Sequence, residues 1–257
     1  MAITLKSTNS TSSTSDAASF TFTNGLVVAA GTDRFLTCAV SSEDGTDADM
    51  YITSIVVDPA GVNKSLTKSV EASTGGGGFS NYASLWYLKE ADFPAAATYD
   101  VVVTFPGSVS EYGITLNVYE SVDSTSPEAT GSQVSGSTTT VSAAITTISA
   151  NAWVVDCASS GEAAVSISPD SPQVSRNVTD ADSHWHGCSD VPIVTAGATS
   201  TDWTAVSSEN RFILVNLALK PTGGGGGGGG RIMSSLTNHG GLAGKGGIAG
   251  QGGGLAG

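Results

Sequence analysis

Residues 210–220 read NRFILVNLALK. As a strand, this segment puts Ile213, Val215, Leu217 and Leu219 on one side and Phe212, Leu214 and Ala218 on the other, with Asn216 alone breaking the second face. A strand apolar on both faces belongs inside a sheet whose two surfaces are covered. Residues 33–40 (DRFLTCAV) and 151–158 (NAWVVDCA) repeat the pattern: a turn-prone Asp or Asn, then a two-faced apolar run. The composition of interior strands accounts for this weak echo without dividing the domain. Other segments alternate. Residues 98–105 (TYDVVVTF) align Tyr99, Val101, Val103 and Phe105, and stop at Pro106-Gly107. Residues 113–120 turn Ile114, Leu116 and Val118 inward, and residues 82–88 (YASLWYL) put Tyr82, Trp86 and Leu88 together. Residues 51–57 are β-branched and end at Asp58-Pro59-Ala60-Gly61, where Pro presets φ and Gly accepts positive φ. Segments 141–148, 163–167 and 201–206 complete about a dozen short strands. Only residues 88–97 leave room for a turn of helix before Pro94. The pattern predicts an all-β protein, a jelly-roll-like two-sheet β-sandwich followed by an extended Gly-rich C-terminal tail.

Three regions follow. Residues 1–17 are a Ser/Thr-rich arm or a fraying first strand, residues 18–221 are the sandwich, and residues 222–257 are the tail. Within the sandwich, the Ser/Thr/Pro/Gly-rich stretch 123–140 reads as a crossover between two halves. The tail opens with eight glycines, 223–230, and closes with GGLAGKGGIAGQGGGLAG. Glycine recurs every third residue from 241 to 253, and Leu242 and Ile248 stand six apart. That period suits an extended left-handed helix whose glycine edge lets chains approach closely. Leu242, Ile248 and Leu255 are the candidate assembly contacts of a homo-oligomer; the alternative is a flexible linker with an adhesive end.

Charge narrows the range of partners. The formal net charge is −13, and residues 1–220 hold all 23 acids against eight of the ten bases, a formal −15. Such a surface repels phosphate backbones, so nucleic acid is not an expected partner. No apolar run has membrane-spanning length, and the N-terminus lacks the pattern of a signal peptide, so synthesis in the cytoplasm is expected. The odd cysteine count, Cys38, Cys157 and Cys188, has no repeated spacing and argues against a disulfide framework. Cys38 and Cys157 read as small buried hydrophobes.

Two clusters could carry chemistry. In HWHGC, an extended chain puts His184, His186 and Cys188 on one side, which is zinc-ligand chemistry, with Asp182 or Cys157 as a fourth ligand. The competing reading is an exposed loop presenting Trp185 to a sugar or a partner. The acidic loop 43–49 (EDGTDAD), with Asp44, Asp47 and Asp49, offers oxygen ligands for calcium; it lacks the EF-hand pattern and reads otherwise as a solvated hairpin tip. No nucleophile elbow, zinc-protease motif or P-loop is present, and an enzyme is not expected.

The ending LTNHGGLAGKGGIAGQGGGLAG resembles the glycine-rich C-termini of virion structural proteins of tailed bacteriophages and prophages. The body is similar to a β-sandwich domain of phage and bacterial surface proteins. There a segment like 84–99 (SLWYLKEADFPAAATY) precedes a V-x-V-x-F strand, here 101–105, and a strand like 211–221 closes the domain. The resemblance implies a non-enzymatic virion component on the capsid or tail, of decoration, head-fibre or tail-fibre type. It would assemble in the host cytoplasm with itself, for instance as a trimer, and with other virion proteins. The alternative is a carbohydrate-binding module recognising host-surface glycans through Trp185, Trp203 and Tyr82.

Overall fold

The structure is a computed structural model that describes residues 1–46, 48–58, 60–75, 79–136, 138–161, 166–209 and 211–223. The first half of the chain forms β1 (Thr4–Ser13), β2 (Ala17–Val28), β3 (Phe35–Asp44), β4 (Ser54–Val57), β5 (Lys64–Ser65), β6 (Thr67–Thr74), β7 (Ser80–Lys89), β8 (Ala97–Val109) and β9 (Glu111–Glu120). One 3-10 turn, Glu90–Asp92, falls within the segment that left room for it. The second half forms β10 (Ala129–Ser135), β11 (Thr138–Thr147), β12 (Ala152–Ser160), β13 (Ile167–Pro169), β14 (Val174–Ala181), β15 (His184–Ile193), β16 (Gly197–Glu209) and β17 (Phe212–Leu219).

The expected all-β sandwich is present, and it is present twice. The first half has sheets ordered β1-β9-β3-β7-β6 and β2-β8-β4-β5; the second has β10-β17-β12-β15-β14 and β11-β16-β13. With β5 set aside, the two halves share one strand order. In each, the first strand pairs with the last, the second with the next to last and the third with the sixth. This nested antiparallel pairing is jelly-roll wrapping. The echo between 33–40 and 151–158 falls on equivalent strands, β3 and β12. Asp33 and Asn151, with φ of 54° and 58°, hold the left-handed turns that feed them, a conformation Asn and Asp tolerate better than other side chains.

Four sheets therefore replace the two expected. The two five-stranded sheets lie face to face in the middle, and each smaller sheet covers an outer face. One core, with Leu36, Cys38, Val40, Trp86, Val101, Val103 and Leu116, fills the first sandwich. Another, with Ala158, Trp203, Phe212 and Leu214, lies in the second. Between the halves runs a seam that packs Phe35, Ala39, Leu85 and Tyr119 against Val155, Cys157, Ile213, Val215 and Leu217. All ten residues of β3 and all eight of β17 are buried for this reason. Asn216 is kept because its amide donates to Ala143 O (2.9 Å) and Thr201 Oγ1 (3.0 Å), joining two sheets of the second half.

Two boundaries move. The N-terminal arm is a strand: β1 pairs with β9 from Thr4 to Ser13, and Ile3 is buried in the seam. The stretch 123–140 does join the halves, but it becomes β10 at Ala129 and pairs with β17. The start and close of the sandwich body meet, since the Met1 ammonium donates to Thr222 O at 2.6 Å.

Because both sandwiches share the seam, they should unfold together. Leu217→Ala, which removes a fully buried seam side chain, should cost about 2–5 kcal/mol. Urea unfolding should remain a single transition; separate transitions for the two halves would contradict the shared core.

Candidate functional site

At the end of the seam away from Phe35 and Tyr119, its lining turns from apolar to polar. On β3 and β7, Ser41, Glu43 and Asn81 point at the second half; on β9, Gly113 and Thr115 do so. Opposite them stand His184 and His186 of β15, with Arg211 just before β17. Ser41 Oγ lies 2.8 Å from His184 Nε2 and 2.8 Å from His186 Nδ1, and His186 Nε2 lies 2.9 Å from Thr115 Oγ1. Arg211 donates to Glu43 Oε1 at 3.0 Å and to the Gly161 carbonyl. Gly113 is required here, because a Cβ on it would fall 2.2 Å from the His186 Cβ.

Two further polar ties cross or flank the seam. Asp190 accepts two bonds from Arg176 (2.8 and 2.6 Å) and one from the Tyr119 hydroxyl (2.9 Å), so a first-half phenol and a second-half guanidinium share one buried carboxylate. Asp156 accepts from Ser189 N, Ser189 Oγ, Gln173 Nε2 and Trp203 Nε1. A buried carboxylate persists only when so surrounded.

Burial sets the protonation states. It pushes the Glu43 carboxyl up to about 7; Arg211 opposes the rise, while Glu111 and Asp44 add to it. Burial also lifts Asp156 to about 7, against its bonds from Ser189 and Trp203. Both histidines are driven down to about 3, His184 by burial and then by the charges of His186 and Arg211, His186 by burial alone. The seam imidazoles are therefore neutral at physiological pH.

The residues named from sequence divide accordingly. His184, His186 and Cys188 do share one face of β15, but that face is the sealed seam and not an exposed loop. His184 and His186 bond to hydroxyls there, and Cys188 accepts from Asn117 Nδ2 at 3.4 Å. Among the described residues, no group of three or more His, Cys, Asp or Glu is placed to hold a metal ion. Asp44 organises its own loop, accepting from Thr46 N, Ser110 N and Ser110 Oγ, and Asp49 packs against Gly107. Asp47 and the tail positions Leu242, Ile248 and Leu255 lie outside the described residues. Two of the proposed sugar-binding aromatics are core residues. Trp203 is fully buried against Asp156, and Tyr82 is fully buried with its hydroxyl on Glu71. Tyr82 stands on a strand covered on both sides, and Trp203 is on the inward face of the alternating strand β16. Trp185 is half-buried.

Sequence reasoning missed Ser41, Asn81, Thr115, Asp156 and Arg211. The available signal was a polar residue at the buried phase of an apolar strand, as with Asp156 in AWVVDCA. Ser41, His184 and Glu43 also have the order of a nucleophile–imidazole–carboxylate relay. However, Ser41 and His184 have no exposed surface, Glu43 keeps 2% and the His184 Nδ1 to Glu43 Oε2 separation is 4.0 Å. The arrangement is a tie between sheets, closed to substrate.

No family model, curated protein or solved structure matches the chain. Its geometry is therefore the ground for reading it. Among the described residues, no helix is long and apolar enough to cross a membrane.

The pH response follows from opposed shifts. Below about 6.5 the unfolded chain protonates His184 and His186, which the folded chain leaves neutral until about 3, so falling pH favours unfolding. Glu43 and Asp156 take protons near 7 when folded but only near 4.5 and 3.8 when unfolded, so falling pH favours folding. These contributions cancel to about level stability between roughly pH 6.5 and 4.5, then stability falls toward pH 3. Glu43→Gln removes one compensating proton, so its stability should begin to fall near pH 6.5. Urea midpoints at stepped pH test this, and profiles of the same shape in both proteins would refute it.

The three thiols give a second test. Burial raises Cys38, Cys157 and Cys188 above the ordinary thiol range, and all three are free and buried. None should react with a disulfide reagent until denaturant is added; labelling of Cys157 or Cys188 in the folded protein would show that the seam opens.

Proposed function

We propose that this chain is a non-enzymatic structural protein of a phage particle, with the doubled sandwich displayed on the capsid or tail surface and the Gly-rich tail mediating oligomerisation or docking. The observation that supports this most is the use made of the polar interior. Ser41, Glu43, His184, His186, Arg211, Tyr119 and Asp190 all bind one half of the body to the other. Groups that a catalyst would present to a substrate are consumed in making a stiff block. The exit of the chain fits the same reading: β17 runs into Pro221, which bridges to Val122, and Thr222, whose N–H bonds Ser121 O. The tail thus departs from a firmly tied point. The resemblance of its GGLAG repeats to phage virion proteins supplies the setting.

The native mass of the full-length protein, measured beside a truncation ending at Gly223, tests the role of the tail. A trimer or larger assembly that becomes a monomer on truncation is the expected result. Two monomers would overturn the self-assembly role. Glycan-array binding by a monomeric body would replace the architectural reading with an adhesion module.

A further inference from the structure

Beside the paired histidines, three polar atoms point into one place without a partner: Glu43 Oε2, His184 Nδ1 and Asn81 Oδ1. Their residues are 2%, 0% and 0% exposed. The Asn81 orientation is fixed, because its Nδ2 donates to Arg211 O at 3.1 Å and leaves Oδ1 facing the seam. The other Glu43 oxygen is engaged by Arg211 at 3.0 Å. Opposite stands Gly161, where a Cβ would fall 2.4 Å from Glu43 Oε2 and 2.2 Å from Asn81 Oδ1.

We infer that these atoms form a binding site for a single internal water, which completes a hydrogen-bonded relay across the seam from Thr115 to Arg211. The separation of 4.0 Å between His184 Nδ1 and Glu43 Oε2 is too long for a direct bond. It is the span of one water holding both atoms at about 2.8 Å with an angle near 90°. Proton counting gives the relay its direction. Ser41 has one hydroxyl proton for two imidazoles, so it donates to one and accepts from the other. With Thr115 donating to His186 Nε2, the His186 Nδ1–H donates to Ser41 and Ser41 donates to His184 Nε2. The His184 proton then sits on Nδ1. A water that accepts this proton and donates its own two to Glu43 Oε2 and Asn81 Oδ1 makes three bonds, the usual number for an internal water. With Glu43 ionised, the reverse direction would surround the site with acceptors alone. A metal ion suits it poorly, because Arg211 already neutralises Glu43 and a second cation would lie beside the guanidinium.

The test uses the full chain labelled with nitrogen-15 at about pH 8.5, where Glu43 is ionised. Long-range proton–nitrogen correlation should report His184 as the Nδ1–H tautomer, and that proton should show a cross-peak to water with slow exchange. Gly161→Ala, whose Cβ would overlap Asn81 Oδ1 and Glu43 Oε2 and push them from their places, should remove the water cross-peak while leaving the Asp190–Arg176 end of the seam unshifted. An Nε2–H tautomer for His184 would overturn the relay. So would an Nδ1–H with no water contact, or a crystal structure with Glu43 bonded directly to His184. Because the primary measurement is on the unaltered protein, failure of the variant to fold would not rescue the inference.

Discussion

The constraint on which the rest of this protein depends is that both of its five-stranded sheets are buried on both faces. An antiparallel sheet usually keeps one face for water and alternates accordingly. Here the seam takes one face and a smaller sheet takes the other, so β3, β12, β15 and β17 have almost no solvated position. A polar group on them that finds no partner within the protein loses its hydration for nothing, as Thr37 Oγ1 and Ser159 Oγ do. Asp156, Asp190, Asn216 and His186 each avoid that loss with two or more bonds. The polar seam is thus a consequence of the layering, and its dense bonding follows from the lack of water.

The duplication is regular in topology and irregular in chemistry. By register, Glu43 of β3 corresponds to Gly161, Asn81 of β7 to His184, and Glu111 of β9 to Arg211. The first half thus brings carboxylates to the polar end and the second half brings bases. Two copies of the first face would put Glu111 where Arg211 stands and leave Glu43 against a carboxylate. Two copies of the second would put Gly161 where Glu43 stands and leave Arg211 without its carboxylate. Each face therefore prefers the other over itself, which is specificity by exclusion as much as by attraction. At the apolar end this distinction fades, because Phe35 and Trp153 are alike in kind; there the fit rests on shape, with Tyr119 set edge-on to Trp153.

What could be read from the chain follows the same division. Two-faced strands were legible because period-two patterning is local, and the Phe35 and Phe212 runs announced covered sheets. The left-handed turns at Asp33 and Asn151 were legible as the starts of an echo. The number of layers was not, because a strand covered by one partner sheet plus a helix or by two sheets has the same apolar pattern. HWHGC was misread for a related reason. Two histidines next to a tryptophan suggest a surface, and only the pairing of β15 with β12, opposite β3, reveals that Ser41 and Thr115 occupy the places where water or metal would otherwise be. Ser41 and His184 are 143 residues apart, and no local signal spans that distance.

The ion pairs bear on how the body meets its surroundings. Lys6, Arg34, Lys64, Lys68, Arg176, Arg211 and Lys220 each pair with a carboxylate, and Lys89 lies over the Tyr87 ring while donating to Ser124 O. Most of these pairs are solvent-exposed and contribute little stability. Their effect is to pair seven of the eight Lys and Arg side chains of residues 1–220 with a carboxylate, while many acids remain uncompensated. A surface of this kind repels other copies of itself at long range, and salt screens that repulsion. Association of two bodies alone would have to overcome it. Arg231 and Lys245, by contrast, lie in a tail segment that contains no acid. If copies of this chain assemble through the tail as proposed, that segment adds no negative charge to the repulsion between bodies.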